Sequence, residues 1–169
     1  DKVVSLFEEH TDIIRKGGRD TLYGHKWHLV TGQSGLVTDL YMPRGNSSDM
    51  ASLIPIVDRH KELFGKVPRQ LAADGCYASQ SNLSEAKAAG VKDVAFQKKK
   101  GLTIEKMAKS RWVYKKLINF RAGVEANIGN LKDNFGLRRC NWKGWEKFKA
   151  YIWSSVVAYN LTLVARLQA

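Results

Sequence analysis

Asp74, Arg121, Glu125 and Lys132 are the residues whose types and spacing suit chemistry. Read as a helix, the stretch from Asn119 to Arg139 puts Arg121, Glu125 and Lys132 on one face, since positions four and seven apart recur on the same side. That face carries one carboxylate between two cations, and Ile128 and Leu131 form an apolar flank. Asp74 follows the short strand-like run Gln70 to Ala73 and precedes Gly75. Acids that converge in a basic surround suit a hard divalent cation, Mg²⁺ or Mn²⁺, bound through oxygen. Such an ion serves phosphodiester cleavage by activating a water or hydroxyl and stabilising the leaving oxygen. Arg121 and Lys132 would hold phosphate and offset charge at phosphorus. A salt-bridged surface helix would carry the same three charges, and Asp74 could instead cap the helix beginning near Ser79 or fix a turn.

The charge distribution bears on that choice. The chain of 169 residues has a formal charge of +12. Residues 97–149 hold 15 Lys and Arg against 4 acids, and the remainder holds 13 against 12. Segregation of this kind points to a polyanionic partner, nucleic acid ahead of an anionic membrane surface. The uncharged run from Ala150 to Ala165 is too short to span a bilayer comfortably and contains Ser154, Ser155 and Asn160, so it reads as a buried helix. A hydrophobic fraction of 44% with 10% aromatics argues against disorder, and the length suits one domain with a proper core.

Cys76 and Cys140 make no CxxC pair and no metal-ligand spacing with the four histidines, which suits reduced thiols of a cytosolic protein. His25 and His28 stand three apart in a predicted strand and so point to opposite faces. Cys76 has no His partner nearby in sequence that would make it a nucleophile. Trp142 and Trp145, beside Lys143 and Lys147, either stack on unpaired bases or pack a helix into the core.

The positioning elements follow from periodicity and turn chemistry. Residues 3–14 contain a strand of unclear register, with Val3, Val4, Leu6, Phe7, Ile13 and Ile14 as its buried candidates, and Gly17-Gly18 marks a turn. Tyr23 to Thr31 and Leu36 to Met42 read as a hairpin closed by Gly32-Gln33-Ser34-Gly35. Ser48 or Asp49 can cap the next helix, with Pro55 placing its start near that residue and Gly65 its end. Gln70 to Ala73 is a strand, Ser79 to Ala89 a helix closed by Gly90, and Val91 to Phe96 a strand. Lys98-Lys99-Lys100-Gly101 is a basic loop. Part of 103–117, the Asn119–Arg139 stretch and Trp145 to Leu167 are helical. Three antiparallel strands followed by βαβ units and C-terminal helices make an α/β fold with a mixed sheet. Ligands of such sheets gather at the carboxyl ends of strands, where Asp74 sits.

On these residues the chain resembles the catalytic domain of bacterial insertion-sequence transposases of the DDE superfamily, in the branch with the IS-four and IS-five groups. Arg121, three residues, Glu125, six residues and Lys132 reproduce the spacing around that family's catalytic glutamate. The Tyr that opens the signature is replaced by Ile118, with Phe120 nearby. Asp74-Gly75-Cys76-Tyr77 resembles the segment holding the second aspartate, and Gly45-Asn46-Ser47-Ser48-Asp49 a Gly-Asn-x-x-Asp segment. Leu137 to Gly144 and Ala158-Tyr159-Asn160-Leu161 are similar to the branch's tail. The likeness covers nearly the whole chain.

The resemblance implies an RNase H-like domain over residues 1–169 that cleaves double-stranded DNA at transposon ends and joins it to target DNA. It implies Asp74 and Glu125 as catalytic metal ligands, and a homodimer in the synaptic complex. Arg121, Lys132, Arg138, Arg139 and Lys143 would be the phosphate contacts. The first aspartate is expected upstream of Asp1, in a chain truncated at its N-terminus, with Asp12 as the alternative. The rival readings are a DNA-binding remnant without chemistry and an RNase H-like nuclease without strand transfer.

Overall fold

A computed structural model of the chain describes residues 10–16, 20–98 and 100–168. Residues 3–7, the Gly17-Gly18 turn and Lys99 lie outside them. The fold is mixed α/β and divides into two compact units, Asp1–Asn46 with Glu125–Ala169, and Ser47–Val124.

In the first unit, β1 (Asp12–Lys16) pairs antiparallel with β2 (Asp20–Gly24), and β3 (His28–Thr31) pairs antiparallel with β4 (Val37–Tyr41). The expected single strand from Tyr23 to Thr31 is interrupted at residues 25–27. There His25 turns to aromatic packing, with ring centroids 4.6 Å from Phe148, 4.8 Å from His10 and 4.9 Å from Trp145. Gly35, at φ 82°, closes the β3–β4 turn with its N–H donating to the Gly32 carbonyl. Helix α5 (Trp145–Gln168) sets Ile152, Val156 and Tyr159 against Val37, Leu40 and Leu131, which together form this unit's core. The Asn160 amide closes a two-bond ring on the start of β4: its Oδ1 accepts from Val37 N at 2.9 Å and its Nδ2 donates to Val37 O at 2.8 Å.

The second unit is built on a βαβ crossover. Strand β5 (Gln70–Ala73) runs parallel to β6 (Asp93–Phe96), with helix α2 (Gln80–Ala88) between them in sequence. Leu53 and Val57 of helix α1 (Asp49–Phe64) pack with Leu83, Ala86, Val91, Val94, Phe96 and Met107 into its core. Helix α1 starts at Asp49 and not near Pro55. Ser48 caps it by accepting from Ala51 N, which satisfies one orphan donor of the first turn. Pro55 therefore lies inside the helix, where its missing N–H leaves the Ala51 carbonyl without its usual partner. Burial of Ser52, Leu53, Ile56 and Val57 offsets that loss. Buried Asp93 begins β6 and accepts from Gln70 Nε2 at 2.9 Å and from Lys109 N at 2.8 Å, tying the strand to the segment after α3 (Ile104–Met107).

Helix α4 (Arg111–Asn134) is longer toward the N-terminus than the sequence suggests, because the two helical stretches expected over 103–117 and 119–139 merge. It stops at Asn134, and Gly136 at φ 79° turns the chain away. Among the described residues the strands are hydrogen-bonded as three separate pairs, where one mixed sheet was expected.

Candidate active site around Asp74

Asp74 is held where β5 ends. Its backbone is extended (φ −66°, ψ 160°), and its Oδ1 accepts from Gly75 N at 2.6 Å, capping the single 3-10 turn Gly75–Tyr77. The capping role foreseen for Asp74 is therefore real, but directed at this turn. Helix α2 has its own cap in Ser79, whose hydroxyl accepts from Asn82 N. The other carboxylate oxygen, Oδ2, lies 3.3 Å from Arg121 Nη2. The Asp74 side chain is 46% exposed and that of Arg121 only 12%, so the guanidinium is committed inward while the carboxylate keeps a face to solvent.

A second carboxylate belongs to this neighbourhood. Asp49 opens α1, and Asn82, itself buried, donates to the carbonyls of Met50 and Tyr77, both at 2.8 Å. One side-chain amide thus clamps the start of α1 to the turn that follows Asp74. The Cys76 thiol is pushed up to about 12 by burial first, then by a hydrogen bond and charge from Asp49 and by the charge of Asp74. Burial and the same two carboxylates also push the Tyr77 phenol upward. Cys76 is therefore a neutral thiol at physiological pH, which removes it as a nucleophile.

For a hard divalent cation the Asp74 carboxylate has the right chemistry: acceptor-only oxygens, one fixed by a backbone N–H and the side chain partly exposed. It fits as one ligand of a site that needs others. Among the described residues no three His, Cys, Asp or Glu side chains group closely enough to hold an ion alone.

The remaining predicted residues belong to the other unit. Glu125 is exposed on α4, and Lys132 is exposed in that helix's last turn, where a cation complements the helix dipole. Leu131, from the predicted apolar flank, is fully buried. Arg138 and Arg139 are exposed beyond the helix end, and Arg138 pairs with Asp133 at 2.7 Å, an exposed pair of little energetic weight. Tyr151 Oη lies 2.6 Å from the Gly136 carbonyl oxygen and 3.1 Å from that of Arg139, which fixes the loop presenting these cations. Lys143 is exposed in the same loop. Asp12 begins β1 with its Oδ2 3.8 Å from His25 Nδ1. Trp145 joins the His10, His25 and Phe148 rings as packing, whereas Trp142 is half-exposed and edge-on to Tyr151.

Of the predicted set, the structure brings Asp74 and Arg121 together. The contact was missed in the sequence, where Arg121 reads as a partner of Glu125 or of phosphate. The signal available was the Arg-x₃-Glu spacing, which names the residues but not whom they touch. No helix among the described residues is long and apolar enough to cross a membrane.

The sequence pattern of the family described as "Transposase DDE domain" matches residues 5–161. No curated protein and no solved structure matches the chain.

Proposed function

The chain belongs to the transposase DDE domain family, and from that premise we propose that it catalyses DNA cleavage at transposon ends followed by strand transfer. The reading rests most directly on the Asp74–Arg121 pair. The arginine of the Arg-x₃-Glu-x₆-Lys signature engages the aspartate at a strand's carboxyl end, and so serves the candidate acid. A structural ion pair alone would not require either residue to carry the family spacing.

Asp74 and Glu125 are the oxygen ligands for Mg²⁺ or Mn²⁺ in this reading, with a further acid needed to complete the set. When bound, such an ion activates the attacking water or 3′-hydroxyl and stabilises the leaving oxygen. Arg121 fixes the orientation of the Asp74 carboxylate, and the Gly75 N–H fixes its other oxygen. Lys132, Arg138, Arg139 and Lys143 contact the phosphates of double-stranded DNA, which gives binding that weakens with salt. The strand pairs are parts of an RNase H-like fold, and the working species is a homodimer that synapses two transposon ends.

The test is an assay of end-containing DNA with protein from the whole reading frame, in Mg²⁺ or Mn²⁺. Nicked and joined products that disappear in Glu125→Gln support the reading. Nicked products without any joined strand would make the protein a nuclease, and salt-dependent binding without cleavage would make it a DNA-binding remnant.

A further inference from the structure

Gly75 makes room for Lys98. An ideal Cβ on Gly75 would lie 2.6 Å from Lys98 Cβ, 2.9 Å from its Cγ and 3.1 Å from its backbone nitrogen. Gly75 is buried and is not among the glycines with positive φ, so it is space, and not backbone conformation, that a side chain here would violate.

The strand register explains why these residues meet. Ala73 of β5 stands opposite Phe96 of β6, and Gln97 N donates to the Ala73 carbonyl at 3.1 Å. Asp74 and Lys98 thus leave the carboxyl ends of two adjacent parallel strands, the edge at which such sheets take their ligands. The Lys98 stem covers Gly75 while the residue as a whole is exposed, and among the described residues it forms no ion pair. Arg121 already faces the Asp74 carboxylate and is largely buried.

We propose that Lys98 binds a backbone phosphate of the DNA strand presented to Asp74, and that Gly75 serves this contact by leaving space for the lysine stem. DNA as the ligand rests on the function proposed above. The contact is an ammonium on a phosphate oxygen, a compact charge on a flexible stem that follows the backbone without reading sequence.

The experiment measures affinity of the whole chain for a fluorescent duplex of fixed length as salt is raised, without added divalent metal. Neutralising one phosphate contributes about 0.9 to the slope of log affinity against log salt. Lys98→Ala is therefore expected to make the slope shallower by about that amount, Lys98→Arg to restore it, and Gly75→Ala to reproduce the Lys98→Ala slope by displacing the stem. Thermal melts of each variant separate this from unfolding, and Lys98→Gln, which keeps the stem, repeats the measurement without the charge. An unchanged slope in Lys98→Ala and Lys98→Gln overturns the proposal, as does a wild-type chain that does not bind duplex. A normal slope in Gly75→Ala overturns the role given to the glycine. Because no cleavage is scored, an altered slope in a protein that never cuts DNA would sink the transposase reading and leave the Lys98 contact standing.

Discussion

Arg121 Nη2 lies 3.3 Å from Asp74 Oδ2, with the arginine side chain mostly buried and the aspartate half-exposed. The cation of the signature motif is therefore spent on orienting an acid. Arg121→Ala is expected to lower DNA cleavage about 10–100-fold, the usual cost of removing a group that orients a metal-ligating side chain. The salt slope of DNA binding should stay at its wild-type value. A slope shallower by about one phosphate contact would instead make Arg121 a DNA ligand.

Asp93 joins Gln70 of β5 to the segment after α3. Its burial would raise its pKa, but the Gln70 amide, the Lys109 N–H and the charges of Lys87 and Lys109 together hold it below the ordinary carboxylate range. A depressed pKa means that the stabilisation is present above the unfolded value and is lost as pH falls through the folded one. Asp93→Ala leaves two donors short of their acceptor and should cost about 2–4 kcal/mol in chemical denaturation at neutral pH. The difference between variant and wild type should narrow in acid below that window. A difference that is constant from neutral to strongly acidic pH would contradict the assignment.

Asn160 makes the corresponding bond in the other unit. Its amide satisfies both backbone groups of Val37, a buried residue at the start of β4. Asn160→Ala strands both groups and should destabilise by about 2–4 kcal/mol. Asn160→Asp keeps the acceptor but loses the donor, and should cost less than Asn160→Ala. Urea unfolding of the two variants measures the order.

Elements fixed by local chemistry were legible in the sequence: Ser48, offered with Asp49 as a helix cap, Gly65 and Gly90 as stops, and Gln70 to Ala73 as a strand ending at Asp74. The Ala158-Tyr159-Asn160-Leu161 tail was recognisable as a motif, yet its reason appears only when Tyr159 Oη reaches the Gly35 carbonyl and Asn160 brackets Val37. Pro55 misled, because a proline ordinarily opens a helix and here a Ser48 cap with buried neighbours carries the helix past it. Asp74 was named from position and spacing, while its Arg121 partner depends on which way a helix faces, and no run of sequence states that. Lys98 gave no signal beyond membership of a basic loop.

Cys76 reports on the two carboxylates beside it. The residue is exposed, yet its thiol is raised to about 12 by partial desolvation and by Asp49 and Asp74, so iodoacetamide should modify it slowly at pH 8. Asp49→Asn removes the charge, leaving only a neutral amide oxygen as acceptor, and should speed that reaction by about tenfold for each pKa unit recovered. Peptide mass spectrometry that follows Cys76 against time makes the comparison, and equal rates in the two proteins would show that Asp49 does not act on the turn.

In the proposed function Asp74 and Glu125 serve one metal-dependent reaction on DNA. Its most direct measurement is strand cleavage and joining of end-containing DNA in Mn²⁺ by protein from the whole reading frame, alongside Asp74→Asn and Glu125→Gln. Both variants are expected to bind DNA normally and to lose cleavage by at least about 100-fold, in keeping with the loss of a group that acts in the transition state. Full cleavage by Glu125→Gln would contradict the account.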